Sequence, residues 1–162
     1  DGACLEAVIA RYGQALLRYC HHILCDYHEA QDAVQDALLR AWSRRDRFRA
    51  GTNLEAWLYK LAYHACIDLL RQRRRQLFAP PPPSGYNPDY IGPELRAALS
   101  VLTLEERGLV FGLVMEGRSY EELSQIYGPS AAALRKRYER ARKKLALALS
   151  ESELDEQKEV VP

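Results

Sequence analysis

The sequence predicts an all-α fold: two small helical bundles joined by a Pro-rich linker, with a helix-turn-helix in the second. Three observations predict it. Apolar residues recur at three- and four-residue spacing along most of the chain, and no stretch alternates as a half-buried strand would. Four prolines at residues 80–83 break that pattern midway. Near the end, a short helical stretch, a tight Gly-Pro turn and a longer basic stretch have the outline of a helix-turn-helix.

The first helix is predicted over residues 3–25, with Leu5, Val8, Ile9, Tyr12, Leu16 and Tyr19 at helical intervals. Its end carries Cys20, His21, His22, Cys25 and His28. His21 and Cys25 share a helix face and admit a metal; Cys20 and Cys25 do not, and ordinary packing at a helix end is the simpler reading. A second helix is predicted over 28–45, with a core stripe of Ala30, Ala33, Val34, Ala37, Leu38 and Ala41. Its opposite side carries Asp32, Gln35 and Asp36 around Leu39. A leucine among carboxylates and away from the core suggests a partner surface, although single exposed apolar residues are common.

Residues 46–53 are polar and contain Gly51, which predicts a loop. Thr52 and Glu55 have the spacing of a capping box for a third helix over 54–75. That helix has a core stripe of Leu54, Leu58, Leu61, Ala62, Ala65 and Leu69. Its far side is expected to present Tyr59, Lys60, Tyr63, His64, Ile67 and Arg71, ahead of Arg73, Arg74 and Arg75. Rings interleaved with cations suit single-stranded nucleic acid, because rings stack on bases and cations hold phosphates; a solvated amphipathic face is the alternative. The linker is predicted over 76–92, and its proline run disfavours helix.

Pro93 reopens helix at a favourable first position, followed by Glu94 in the first turn. Thr103 and Glu106 form a second capping box, and the helix they start is expected to continue to residue 117. Ser119 and Glu122 form a third; Gly128 and Pro129 stop that helix, and Ser130 can cap the next. In this last helix Leu134, Tyr138, Ala141, Leu145 and Leu149 lie on one stripe, opposite Ala132, Lys136, Glu139 and Lys143. Arg135 and Arg142 flank one edge; Arg137, Arg140 and Lys144 flank the other. Such a face can approach phosphates and aim its first turns into a major groove; a solvated basic face on a bundle helix is the alternative. Residues 151–162 are mostly acidic and are expected to fray.

The bulk numbers limit the function. With 162 residues, there is room for one medium domain or two small ones. The formal net charge is only +1, so nucleic-acid affinity must come from segregated charge. No apolar run is long enough to span a membrane and no signal-peptide pattern is present. The chain starts at Asp1 rather than Met, which suggests trimmed N-terminal residues. The four cysteines lack a disulfide-like spacing, so reduced thiols in a cytoplasm are expected. No cofactor is indicated.

These stretches, from ARYGQALLRYCHHIL through EAQDAVQDALLRAW and NLEAWLYKLAYHACIDLLRQRRR to SYEELSQIYGPSAAALRKRYERARKKL, resemble a bacterial extracytoplasmic-function (ECF) sigma factor of the two-domain type. The likeness covers nearly everything but the linker and tail. It implies a sigma2-like domain over 1–75, a linker over 76–92, a sigma4-like domain over 93–150 and an acidic tail. It implies a protein that is not an enzyme, that binds core RNA polymerase, recognises −35 and −10 promoter elements and helps to melt DNA, often under an anti-sigma factor. Asp32, Gln35, Asp36 and Leu39 then match the helix that docks on polymerase. Arg47, Phe48, Arg49, Thr52 and Asn53 match the loop that captures a flipped −10 base, accompanied by Tyr59, Lys60, Tyr63, His64 and Arg71. Ala131, Ala132, Arg135, Lys136 and Glu139 match the −35 reading positions; Arg137, Arg140 and Arg142 would hold phosphates, with Ser119 in the same interface.

The chain departs from the family pattern at Gln31, His64, Pro129, Ala131 and Ala132, which bears on the promoter sequence rather than on the role. Two other classes compete. A duplex-binding regulator that works without polymerase would leave Asp32, Asp36 and Leu39 unexplained. A sigma-like protein that only titrates an anti-sigma factor or polymerase would not need the intact basic face.

Overall fold

The computed structural model describes residues 2–49, 51–75 and 91–159; the predicted linker, apart from its last two residues, lies outside them. The described residues are helical with connecting turns and contain no strand. The chain divides into two units, Asp1–Asp89 with Gln125–Tyr127, and Tyr90–Ser124 with Gly128–Pro162.

Three helices build the first unit: α1 (Gly2–Leu24), α2 (Tyr27–Ser43) and α3 (Leu54–Arg75). Each packs on the other two. Cys25 ends α1 in the left-handed region at φ 56°, and its N–H donates to the His21 carbonyl at 2.8 Å. Asp26 then caps α2 by accepting from the Glu29 N–H at 2.9 Å. The alanines of α2, Ala30, Ala33 and Ala37, are buried and let the helices approach closely, against Leu16, Tyr19, Cys20 and Ile23 of α1. Arg40 of α2 reaches Asp68 of α3 at 2.7 Å and Asp36 on its own helix at 2.6 Å. Arg73 pairs with Glu29 at the far end of the same helix pair.

Expectations here need correction. Helix α2 stops at Ser43, and a 3₁₀ turn, Arg45–Arg47, follows it. Thr52 does not cap α3; the Asn53 side chain accepts from the Ala56 N–H at 3.2 Å, because the helix starts at Leu54 and the third position is Ala56. Tyr59 is not on an outward face: it is fully buried, edge-to-face with Tyr19 at 4.9 Å. The Cys–His cluster spreads in different directions. His21 turns inward against Tyr27 at 5.8 Å, while Cys20 turns to Cys66, whose hydrogen bond, with burial, holds the Cys20 thiol well above its usual range. No group of three ligating residues comes together among the described residues.

The second unit comprises α4 (Pro93–Ser100), α5 (Leu104–Val110), a π turn (Phe111–Met115), α6 (Tyr120–Tyr127) as far as Ser124, and α7 (Ala131–Glu159). Thr103 caps α5 by accepting from the Glu106 N–H at 3.2 Å. The expected α-helix to residue 117 instead widens into the π turn, where the Glu116 N–H donates to the Phe111 carbonyl at 3.1 Å. The turn brings Gly112 against α6 so closely that a Cβ there would lie 2.7 Å from Leu123 Cδ2. Ser119 caps α6, Gly128 ends it at φ 102°, and Ser130 caps α7 by accepting from the Ala133 N–H at 3.2 Å.

Helix α7 packs on α4 and α5, and Leu134 and Ala141 are its fully buried residues. The predicted frayed tail is helical through Glu159, in keeping with its helix-forming Glu, Leu, Gln and Lys. Leu149, placed in the core stripe by periodicity, is 41% exposed, because the helix outruns its neighbours.

Candidate nucleic-acid interface

On α7, a single buried stripe leaves a wide outer arc. Ala132, Arg135, Lys136, Glu139, Arg140, Arg142 and Lys143 are all exposed. Ala131 is half-buried at the first position, so small side chains leave the start of the helix open. Ser119 is exposed at the head of α6, where its hydroxyl oxygen accepts from the Glu122 N–H at 3.1 Å.

The two edges of that arc are treated differently. On one, the Arg135 guanidinium lies 5.1 Å from the Tyr120 ring centre, a cation–π contact, and Tyr120 in turn lies edge-on to Tyr138 at 6.4 Å. Burial and the neighbouring Tyr138 push the Tyr120 phenol up, so it stays protonated. On the other edge, Arg137 is paired with Glu105, and Lys144 with Glu106 at 2.9 Å, both from the first turn of α5. Arg137, expected on phosphates, is thus engaged by a carboxylate of its own unit.

In the first unit, the loop after α2 is partly occupied with its own structure. Arg45 stacks over Trp42 at 4.3 Å and Phe48 lies 5.3 Å from Trp57. The Thr52 N–H donates to the Arg49 carbonyl at 3.1 Å, and Asn53 serves as the cap of α3. Arg47, Arg49 and Thr52 are exposed; Phe48 is half-buried. Behind the loop lies a cleft of about 470 Å³ between Leu5 and Val8 of α1, Trp42 of α2, and Leu54 and Trp57 of α3.

Beside the loop, α3 presents Lys60, His64 and Arg71 as exposed and Tyr63 as half-buried, 5.9 Å from His64. Burial, then the nearby Lys60 charge, lowers the His64 pKa below its ordinary value. It is therefore neutral near pH 7 and offers a hydrogen bond rather than a charge. On α2, Asp32 and Gln35 are exposed beside Leu39, which is 67% exposed, and Asp36 is tied to Arg40.

Sequence periodicity missed Tyr120 as a neighbour of Arg135, and missed Glu105 and Glu106 as partners of α7. No local signal reveals the two glutamates, since their partners are 32 and 38 residues away. The cleft had a visible hint: Trp42 and Trp57 flank the loop from either side.

Residues 8–76, most of α1 and all of α2 and α3, match Sigma-70 region 2. Over 128 residues the chain is 34% identical to the ECF RNA polymerase sigma factor EcfG of Rhodopseudomonas palustris (strain TIE-1), covering 74% of this chain and 71% of that protein. The chain belongs to the ECF sigma factor family. This ECF sigma factor is also 26% identical over 153 residues to the ECF RNA polymerase sigma factor SigE of Mycolicibacterium smegmatis, covering 86% of its own length but 59% of SigE. Among solved structures, it is similar to the sigma factor RpoE crystallised with the anti-sigma factor NepR from Bartonella quintana, with a TM-score of 0.71 and 26% identity. That likeness covers 90% of this chain and 96% of RpoE. No helix among the described residues is long and apolar enough to cross a membrane.

Proposed function

We propose that this ECF sigma factor binds core RNA polymerase, directs it to promoters through −35 and −10 recognition, and assists melting at the latter. The first unit, with residues 1–75, serves polymerase and the −10 strand; residues 93–150 serve the −35 duplex, and 76–92 join them. One observation carries the reading: a capped helix-turn-helix with an outward cationic arc shares a chain with an exposed Leu39 set among polar groups. The first alone would suit any duplex-binding regulator; Leu39 favours a protein partner as well. Lys136 and Arg135 read bases, and Arg140 and Arg142 hold phosphates. In unit one, Arg47, Arg49 and Thr52 line the capture loop, with Tyr63 as the stacking ring. The protein acts by binding, leaves the chemistry to the polymerase, and works in the cytoplasm. RpoE's complex with NepR supports an anti-sigma partner here too.

Run-off transcription with core polymerase on a genomic fragment library, with and without the protein, tests the reading. Discrete new transcripts are expected, and their absence would refute it. Tyr63→Ala separates the melting step. Permanganate reactivity of −10 thymines should fall while −35 duplex binding is kept, because stacking worth about 1–3 kcal/mol is available only after strands part.

A further inference from the structure

We infer that Glu105 and Glu106, which face α7 rather than the duplex, set promoter specificity by withholding Arg137 and Lys144 from DNA phosphates. The inference rests on the −35 role proposed for α7. Every cation that meets a phosphate adds affinity for any sequence, whereas only base contacts discriminate. A recognition helix with too many available cations therefore holds random DNA nearly as well as its promoter. Helix α7 is exposed to that problem, because Arg135, Lys136, Arg137, Arg140, Arg142, Lys143 and Lys144 follow one another within three turns.

The geometry solves it on one edge. Arg137 and Lys144 are seven residues apart, two helical turns, and so lie on the same edge. Glu105 and Glu106 are neighbours on the first turn of α5, which Thr103 fixes by accepting the Glu106 N–H. Each carboxylate takes one cation: Glu105 takes Arg137, and Glu106 takes Lys144 with its two oxygens at 2.9 and 3.2 Å. The carboxylates are the more sheltered members, 24% and 14% exposed against 44% and 49% for their cations. Arg140 shares the small cleft they line yet lies farther round α7, toward the outer arc. The edge is thus divided between cations neutralised at home and cations left for the duplex.

The pairs also hold α5 to α7, so the test must separate bracing from masking. Holoenzyme reconstituted with the wild-type chain is compared with holoenzyme carrying Glu105→Gln/Glu106→Gln. Both are titrated onto a promoter duplex and a random duplex of equal length between ~50 and ~200 mM salt. The variant should hold the random duplex more tightly and lose promoter preference. Its slope of log affinity against log salt should steepen by about 1–2, since each freed cation adds ~0.9, which is about 3.5-fold more loss of affinity per cation across that range and about tenfold for both. Glu105→Gln alone, which keeps the Lys144 brace, should give about half the steepening. Lys144→Gln should leave the wild-type slope unchanged. An unchanged slope in the double variant overturns the inference, and with a lowered Tm it assigns the pairs to bracing alone. A shallower slope in Lys144→Gln overturns it as well, because Lys144 would already be on a phosphate. Failure of the wild-type holoenzyme to prefer the promoter would fell the −35 reading itself, and this inference with it.

Discussion

Helices α3 and α7 are both long and amphipathic, with rings and cations along their polar sides, yet they present very different surfaces. Helix α3 packs on both α1 and α2, so burial extends well round it: Leu58, Leu61, Ala62 and Ala65 lie on one side, Tyr59 and Cys66 on the next. What it leaves outward is narrow, mainly Lys60, His64 and Arg71 with part of Tyr63. Helix α7 packs only on one side, against α4 and α5, and keeps an arc from Arg135 round to Arg140. The difference teaches that the contact surface of a helix depends on how many neighbours it has, before any question of which residues it carries. On the proposed reading, the first unit pairs the loop ahead of α3 with a narrow strip of that helix around Tyr63, whereas the second offers most of the outer arc of α7.

The largest effect that could break this comparison is at Tyr59. Removing a fully buried ring should cost about 3–5 kcal/mol of stability, so Tyr59→Ala should melt far below wild type. Tyr59→Phe, which keeps the edge-to-face contact with Tyr19, should melt near it. A Tyr59→Ala protein with wild-type melting but impaired promoter opening would return this residue to the outer face.

Next is Leu39→Asp, on the outer side of α2. It should weaken binding to core polymerase by up to ~2–3 kcal/mol, the transfer value of a buried leucine plus the cost of desolvating a carboxylate, with no change in melting. Pull-down with core enzyme beside a thermal melt decides it; wild-type polymerase binding would mean that Leu39 is merely solvent-exposed.

On α7, Arg135→Ala and Lys136→Ala should each cost about 1–3 kcal/mol on the promoter and relax preference at particular base pairs. Arg140→Ala should weaken all sequences alike and lower the salt slope by about one. Equal loss of specificity from all three would erase the division of the arc. The smallest effect is expected from Tyr120→Ala, about 0.5–1 kcal/mol, seen only while Arg135 is present. A double-mutant cycle measures that coupling; additivity would show that the ring does not orient the guanidinium.

How much was legible in the sequence follows the same physics. The capped starts at Thr103, Ser119 and Ser130 were readable because a cap acts within three residues, and all three appear as hydrogen bonds. The outward Ala132, Lys136, Glu139 and Lys143 were readable because α7 has one buried side. Tyr59 was misplaced because one stripe cannot describe a helix between two others. Thr52 was misplaced because a one-residue shift in helix start moves the cap to Asn53. The π turn was hidden because only the close approach of Gly112 to Leu123 distinguishes it from a straight helix end. The α5 glutamates were hidden because their partners are remote in sequence.

The length of α7 has one more consequence. Twenty-nine residues at about 1.5 Å each make a rod of roughly 43 Å, with all its cations but Lys158 between Arg135 and Lys144 and the exposed Glu151, Glu153 and Asp155 near its end. The backbone dipole has the same sense, positive at Ala131 and negative at Glu159. Near a polyanion such a rod feels a torque as well as an attraction. It is turned cation-end first while still separated from the surface by about one ~8 Å Debye length, and the turning fades as salt shortens that distance. Approaches with the acidic end leading are repelled before contact, so a larger share of encounters arrives in a usable orientation.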